Sequence, residues 1–366
     1  MIQNTISLIQ PLDAAAMDKC QIRLDNLTKP LGSLHAFEHL VRQFSGITRN
    51  PRPRSLKKAI LIMAGDHSAE ENPSASASEP TCQRVQKFSE GGTPVNCFAN
   101  HIAADLQLID LGIAEDLPPL PLVRNEKIAY GAQNITEGPA MTRQQAIRAI
   151  EIGIAAADEL IEKGYNVFGL GTMSNGNILS STAVIACFSE TSPDQFWTKA
   201  TSFSPDQIAR LEQALKENTA NILDPIDVVS KLGSFEMAGL TGIILGAAAG
   251  RAAVVLDGLA TAAAALLAVK LAPQSKDYLI GSHFPPVTAH KIALDLLDVP
   301  AHLHLNISSD EGIGAILGIS LLNASLHVLN DMKTFGDTEV AVAQDGPGVL
   351  KQNKSVKEES EKGDGC

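Results

Sequence analysis

Two patterns of apolar and polar positions alternate along the chain. Short, continuous apolar runs of the kind that fill a buried strand occur at residues 59–64 (AILIMA), 106–111 (LQLIDL), 166–170 (NVFGL), 252–256 (AAVVL) and 277–280 (DYLI). Between them, residues 142–163 place Ile147, Ile150, Ile154 and Leu160 at helical spacing, and residues 303–335 return to a helical pattern. Near the start, residues 13–47 read as helical. Asp13 is placed to cap a first helix, the stretch 29–34 (KPLGSL) breaks it, and Ser33 is placed to cap a second helix carrying Leu34, Phe37, Leu40, Val41 and Phe44. Strands alternating with helices predict an α/β fold, a Rossmann-like parallel sheet flanked by helices. Each predicted strand runs into a small or polar cluster: Gly65-Asp66-His67, Gly112, Gly171, Asp257-Gly258 and Gly281-Ser282-His283. Ligands of open parallel sheets sit beyond the carboxyl ends of the strands, so Asp66, Gly171, Asp257 and Ser282 are expected on one rim.

Composition narrows the function classes. The chain has 366 residues, 45% of them apolar and 19% charged, enough for a sizeable core and unlike a disordered chain. Acidic residues outnumber basic ones, 41 to 29, for a net charge of −12, and no Lys/Arg block stands out. A surface for nucleic acid or an anionic membrane is therefore not expected. With 4% aromatics and the single Trp197, neither is a base-stacking platform. The Ala/Gly-dense run 236–270 raises a membrane question. Its uncharged part, 237–250, falls short of the roughly 20 residues a span needs, and Arg251 and Asp257 interrupt the remainder of the run. A buried helix followed by a buried strand is predicted there instead. Residues 1–20 do not read as a secretory signal. Five dispersed cysteines without a Cys-x-x-Cys pair support neither a disulfide framework nor a metal site, and fit reduced thiols in a cytoplasmic protein. The Pro/Arg segment 50–57 (NPRPRSLK) marks a first boundary, and the charged tail 351–366 is expected to be disordered.

Several segments carry candidate chemistry. Asp310-Glu311-Gly312-Ile313-Gly314 lies where a loop meets a helix start. A carboxylate beside glycines there can serve as a general base, or simply suit the positive end of a helix. Residues 167–177 (VFGLGTMSNGN) form a Gly-rich strand-to-helix passage whose N–H groups could cradle a phosphate, although they match neither a Walker A motif nor a full dinucleotide fingerprint. Asp66-His67 could be an acid/base pair or a hydrogen-bonded structural element. Ser282-His283 invites a nucleophile reading, but no Gly-x-Ser-x-Gly elbow exists there and neighbours on a strand point to opposite faces. His302 and His304 alternate and are expected to pack.

Together these strings resemble the nicotinate-nucleotide–dimethylbenzimidazole phosphoribosyltransferase family of cobamide lower-ligand synthesis. The resemblance covers residues 10–336. It is carried by KPLGSLHAFEHL (29–40), AGDH (64–67), LIDLGI (108–113), NITEGPAMTRQQA (134–146), VFGLG (167–171), PIDVVSKLGSFEMAGLTGIILGAAA (225–249), VVLDGLATAAAALLA (254–268), YLIGSHF (278–284), DEGIGA (310–315) and NDMKTF (330–335). It implies a large Rossmann-like domain (55–320), a small helical domain built from both chain ends (1–50 and 321–350), a dimer, and no cofactor or metal. It also implies transfer of a 5-phosphoribosyl group from nicotinate mononucleotide to an aromatic base, with inversion and release of nicotinate. The cationic pyridinium of the donor leaves readily, so one carboxylate can take the acceptor's proton and favour the developing positive charge on the sugar. The family's glutamate for that task maps onto Glu311. The resemblance assigns Gly171, Thr172, Met173, Gly176, Asn177, Arg210, Asp257, Gly258 and Ser282 to the nucleotide, and Asp66, His67, Ser76, Gln83 and Arg84 to the base pocket.

The chain departs from the family pattern at several of these positions. The family's Gly-Glu-Met loop reads Gly171-Thr172-Met173, without the acidic residue. The two hydroxyls expected on the donor phosphate are Ile178 and Leu179, and the expected Asn-Lys pair is replaced by Arg210-Leu211. The base-pocket stretch 72–84 reads NPSASASEPTCQR. Charge-assisted contacts contribute about 1.5–3 kcal/mol each, so such losses lower affinity by decades. Three readings are open. The chain is a divergent subunit that pairs with a paralogue in a base or phenol phosphoribosyltransferase, an active homodimer with altered base preference, or a non-catalytic binder of a base or nucleotide. A dehydrogenase lacks its glycine fingerprint here.

Overall fold

The structure, a computed structural model, describes residues 1–68, 79–189, 203–284 and 286–338. Six parallel strands form one sheet: β1 (Lys58–Gly65), β2 (Asp105–Gly112), β3 (Val123–Asn125), β4 (Val167–Met173), β5 (Ala253–Val255) and β6 (Leu279–Ile280), in the order β3-β2-β1-β4-β5-β6. The helices are α1 (Ile2–Leu8), α2 (Ala14–Asp25), α3 (Ala36–Thr48), α4 (Thr81–Ser89), α5 (Pro94–His101), α6 (Arg143–Glu162), α7 (Asn177–Phe188), α8 (Pro205–Glu217), α9 (Pro225–Leu232), α10 (Phe235–Ala249), α11 (Leu259–Leu271), α12 (Thr288–Leu297), α13 (Ile313–Asp331) and α14 (Phe335–Thr338). The chain resolves into two compact units. One holds Met1–Gln10 and Lys57–Ile319; the other holds Pro11–Leu56 and the described residues from Ser320 on.

In the larger unit the central strands are buried on both faces, which is why their sequences are continuous apolar runs rather than alternating ones. All five predicted strands are present. β3, which the sequence pattern did not suggest, is three polar-leaning residues (VRN) on the sheet edge. β4 runs further than predicted. Its pairing with β1 continues through Ile62 opposite Gly171, Met63 opposite Thr172 and Ala64 opposite Met173. Gly171, Thr172 and Met173 are therefore buried strand residues rather than loop.

The helical period over 142–163 is realised as α6, with Thr142 capping it and Gln145 reaching back in a capping box. Ile150, Ile154 and Leu160 are buried and Ile147 is half-buried. The Ala/Gly-rich run forms the buried helix α10, then buried β5, then buried α11. Small residues there serve close packing: a Cβ on Gly153 of α6 or on Gly242 of α10 would collide with backbone of the facing helix. α13 alone among the described helices is long and apolar enough to cross a membrane, and 56% of its apolar window is buried within the protein, as in the core helix of a globular protein.

In the smaller unit Asp13 caps α2 as expected, its carboxylate accepting the Ala16 N–H at 2.8 Å. Ser33 does not cap the next helix. The chain turns through residues 30–35, α3 begins only after His35, and Glu38 accepts the Leu34 N–H at 3.0 Å. Glu38 is also paired with Lys29 at 2.9 Å, and both side chains are buried. This ion pair closes the KPLGSL turn and displaces the serine from the capping role. Leu40, Val41 and Phe44 are buried as predicted, whereas Phe37 and Leu34 are half-buried. The tail 351–366 and Cys366 lie outside the described residues.

Candidate active site

β1 and β4 are neighbours, but the chain leaves β1 toward β2 and β3 and leaves β4 toward β5 and β6. Such a reversal opens a crevice at the carboxyl ends of the two strands. The loop 308–312, which precedes α13, enters this crevice. The Asp310 carbonyl accepts the Thr172 N–H at 2.6 Å, tying the loop to the end of β4. Glu311 and Gly312 lie on Gly171, where a Cβ would come within 2.6 Å of the Gly312 nitrogen and 2.7 Å of the Glu311 carbonyl carbon.

Asp257, just after β5, holds the loop from the other side. Its carboxylate accepts the Gly312 N–H at 2.7 Å and the Ala315 N–H at 3.1 Å. It is 1% exposed. Burial raises the Asp257 carboxyl well above the ordinary carboxylate range, and the nearby charge of Asp310 adds to this. The backbone N–H groups of Gly312, Ala315 and Gly314 pull the other way. Gly258 completes the seat, because a Cβ there would overlap the Asp310 carboxylate. Asp257 and Gly258 thus shape the start of α13, as the cap of a helix N-terminus does.

Glu311 projects from this loop and meets Arg84 of α4. The Arg84 Nη2 donates to Glu311 Oε1 at 2.5 Å, and Nη1 donates to the Ser174 carbonyl and to Asn175 Oδ1, each at 3.2 Å. Both charged side chains are partly exposed, 25% for Arg84 and 14% for Glu311. Gln83, beside Arg84, is exposed, and Ser76 lies outside the described residues.

On the β1 side, Asp66 is a structural knot. Its Oδ1 accepts the Thr81 hydroxyl at 2.5 Å and its Oδ2 accepts the Ala114 N–H at 2.9 Å. His67 Nε2 lies 2.6 Å from Glu236 Oε1, with the two side chains 5% and 1% exposed. Glu236 Oε2 is buried without a hydrogen-bond partner among the described residues. Neither Thr81 nor Glu236 belongs to the candidate set that the sequence motifs define. Glu236 left a readable signal there, as the one charge in the otherwise uncharged run 235–250. A lone charge on a buried helix must be paired.

Ser282 and His283 follow the end of β6, so the strand rule that separates neighbours does not hold them apart. The Ser282 Oγ donates to the Leu256 carbonyl at 2.6 Å and sits 3.1 Å from His283 Nδ1. Both residues are buried, and the serine proton is engaged by a backbone carbonyl. This arrangement supports β5 and the helix start rather than nucleophilic attack. His302 is half-buried, and exposed His304 stacks on Phe284 with ring centroids 4.4 Å apart.

The Gly-rich passage is shorter than its sequence suggests. Only residues 174–176 link β4 to α7, and Gly176 stands at the helix entry with φ +88°. The Asn177 amide donates to the Thr172 hydroxyl at 3.2 Å. Ile178 and Leu179, on the first turn of α7, face Phe203, Gln207, Arg210 and Leu211 across a cavity of about 10 Å³. Its exposed lining is largely apolar, with Gln207 and Arg210 as its polar side chains.

A phosphoribosyltransferase family model matches residues 9–340. The chain belongs to that family. It is 38% identical over 346 residues to the nicotinate-nucleotide–dimethylbenzimidazole phosphoribosyltransferase of Chloroflexus aurantiacus, covering 93% of this chain and 99% of the relative. It is 37% identical over 350 residues to the Geobacter metallireducens enzyme of the same name, covering 94% and 99%. The solved structure of the Thermus thermophilus enzyme of that name aligns with a TM-score of 0.83 at 29% identity, over 91% of this chain and all of that one. This phosphoribosyltransferase therefore shares the family's α/β architecture over nearly its whole length, and its rim residues can be weighed as parts of a pentosyltransferase site.

Proposed function

We propose that the chain transfers 5-phosphoribosyl from nicotinate mononucleotide to a cobamide lower-ligand base or a phenol, with Glu311 as the general base. The bond from C1′ to the pyridinium nitrogen breaks, and its electron pair neutralises that nitrogen as nicotinate leaves. A bond from C1′ to the acceptor nitrogen or oxygen forms on the opposite face. The acceptor's proton passes to the Glu311 carboxylate. The observation that carries this reading is the seating of Glu311 on Gly171 at the β1/β4 crevice, with the N–H of the next residue, Gly312, held by Asp257. A rigid seat fixes a base where a reacting sugar carbon can meet it. Asp257, Gly258, Ser282 and buried Thr172 then act by positioning, whereas Gly176 and Asn177 at the entry to α7 serve the donor side. Glu311→Gln is expected to lower turnover by roughly 10²- to 10⁴-fold without weakening donor binding. Full activity in that variant would exclude Glu311 as the base.

A second reading concerns assembly. In it the chain works as a dimer, paired with a more typical paralogue whose nucleotide site is complete. The apolar lining of the α7–α8 cavity, where hydroxyls would hold a phosphate, favours this over an autonomous homodimer. The test is to purify the chain alone and with a paralogue. Turnover of nicotinate mononucleotide by the chain alone would overturn the paired reading, and so would failure to co-purify. We place the reaction in the cytoplasm, where the free thiols of Cys20, Cys82, Cys97 and Cys187 stay reduced.

A further inference from the structure

Glu311 cannot take an acceptor's proton freely while its carboxylate holds a guanidinium. Arg84 is anchored at its other edge by two neutral acceptors of the β4–α7 link, Ser174 O and Asn175 Oδ1. Its one charged partner among the described residues is Glu311. The link itself is held to the start of α4, since the Asn175 amide donates to the Glu79 carbonyl at 3.3 Å. The guanidinium thus sits between the proposed base and the loop on the donor side, partly exposed to the crevice. The neighbouring α7–α8 cavity is small and its exposed lining is largely apolar.

We propose that Arg84 is the anion-recognition residue for the donor, parked on Glu311 until a substrate anion displaces that carboxylate. This inference rests on the transferase reading above. An incoming carboxylate or phosphate competes for the Nη2 edge of Arg84, forms the bidentate pair that guanidinium favours, and leaves Glu311 free to accept a proton. Donor binding and release of the base are then one event. No covalent step is added to the reaction. The anion is either the carboxylate on the leaving ring or the 5′-phosphate, and both present the same chemistry to Arg84.

The two partners predict opposite signs. Glu311→Gln removes the competitor, so nicotinate mononucleotide should bind about fivefold more tightly by calorimetry even as turnover is lost. Arg84→Met should weaken donor binding by roughly 10- to 100-fold, seen as a raised KM with kcat largely kept at saturating donor. Arg84→Lys should recover part of that loss. Nicotinate riboside lacks the phosphate and nicotinamide mononucleotide lacks the ring carboxylate. The analogue whose binding is insensitive to Arg84→Met is the one missing the captured anion. Unchanged donor affinity in both Arg84→Met and Glu311→Gln would overturn the proposal, as would a fall in kcat alone with KM untouched. If Arg84-dependent donor binding is seen without any transfer, with or without a paralogue, the reaction reading fails and this one stands. Transfer with no dependence on Arg84 has the reverse meaning, and absence of both binding and transfer overturns both.

Discussion

Asp257 shows how a residue next to the chemistry can matter without touching a substrate. Its carboxyl group is buried, close to Asp310, and raised well above the usual range, so its first role is to accept N–H groups rather than to carry charge. The carboxyl uses both oxygens, Oδ2 for the Gly312 N–H and Oδ1 for the Ala315 N–H, whereas an amide offers one acceptor oxygen. Asp257→Asn is therefore expected to keep one of the two bonds and lose the other, whereas Asp257→Ala leaves the Gly312 and Ala315 N–H groups buried without an acceptor. At about 1–3 kcal/mol per orphaned group, the alanine variant should lose roughly 3 kcal/mol in urea unfolding. The same variant should lose turnover, because the 308–312 loop that carries Glu311 loses its tether. The asparagine variant should lose about half as much, and equal losses in the two variants would overturn the account in which each acceptor oxygen holds its own N–H group.

At the scale of elements, the sequence made most of the central sheet legible because strands buried on both faces are written as unbroken apolar runs. The rim was legible for a related reason: each run stops at a small or polar cluster, and in a parallel sheet those stops share one edge. What stayed hidden was pairing between distant positions. β3 lacks an apolar run, Thr81 lies 15 positions from the Asp66 it serves, and Arg84 reaches Glu311 across 227 positions. The entry to α3 shows the same limit at short range. Ser33 looked like the cap, but the buried Lys29–Glu38 pair and the Glu38 bond to the Leu34 N–H define the turn. Glu38→Gln should strand the buried ammonium and destabilise the smaller unit by about 3 kcal/mol, while Lys29→Met with Glu38→Leu should recover much of that loss. Chemical denaturation of the single and double variants decides this, and a double variant as unstable as the single one would rule it out.

Over the whole molecule, acid should act through a histidine that makes no direct contact with the proposed chemistry. His290 of α12 is fully buried, and neither ring nitrogen has a hydrogen-bond partner among the described residues. It meets His283 edge-on with ring centroids 6.1 Å apart, and a Cβ on Gly314 of α13 would overlap that same His283 ring. Burial, with a smaller effect from His283, lowers the His290 pKa from 6.5 to about 3. Above pH 6.5 the imidazole is neutral in the folded and unfolded chains alike and contributes no pH dependence. As pH falls below 6.5 the unfolded chain takes up a proton that the folded chain refuses until about pH 3, so stability falls by about 1.4 kcal/mol per pH unit across that window. Asp257 works in the opposite sense, since a raised carboxyl stabilises the fold at low pH and loses that contribution as pH rises. Comparing wild type with His290→Leu isolates the histidine, because Asp257 is common to both. Between pH 6.5 and 5 the wild type should lose about 2 kcal/mol more than the variant, measured by urea unfolding at each pH. Parallel acid slopes would show that His290 gains its proton in the folded state after all. With the slopes diverging as expected, the His283–His290 pair becomes the point at which mild acid loosens the packing behind the start of α13, and with it the seat of Glu311.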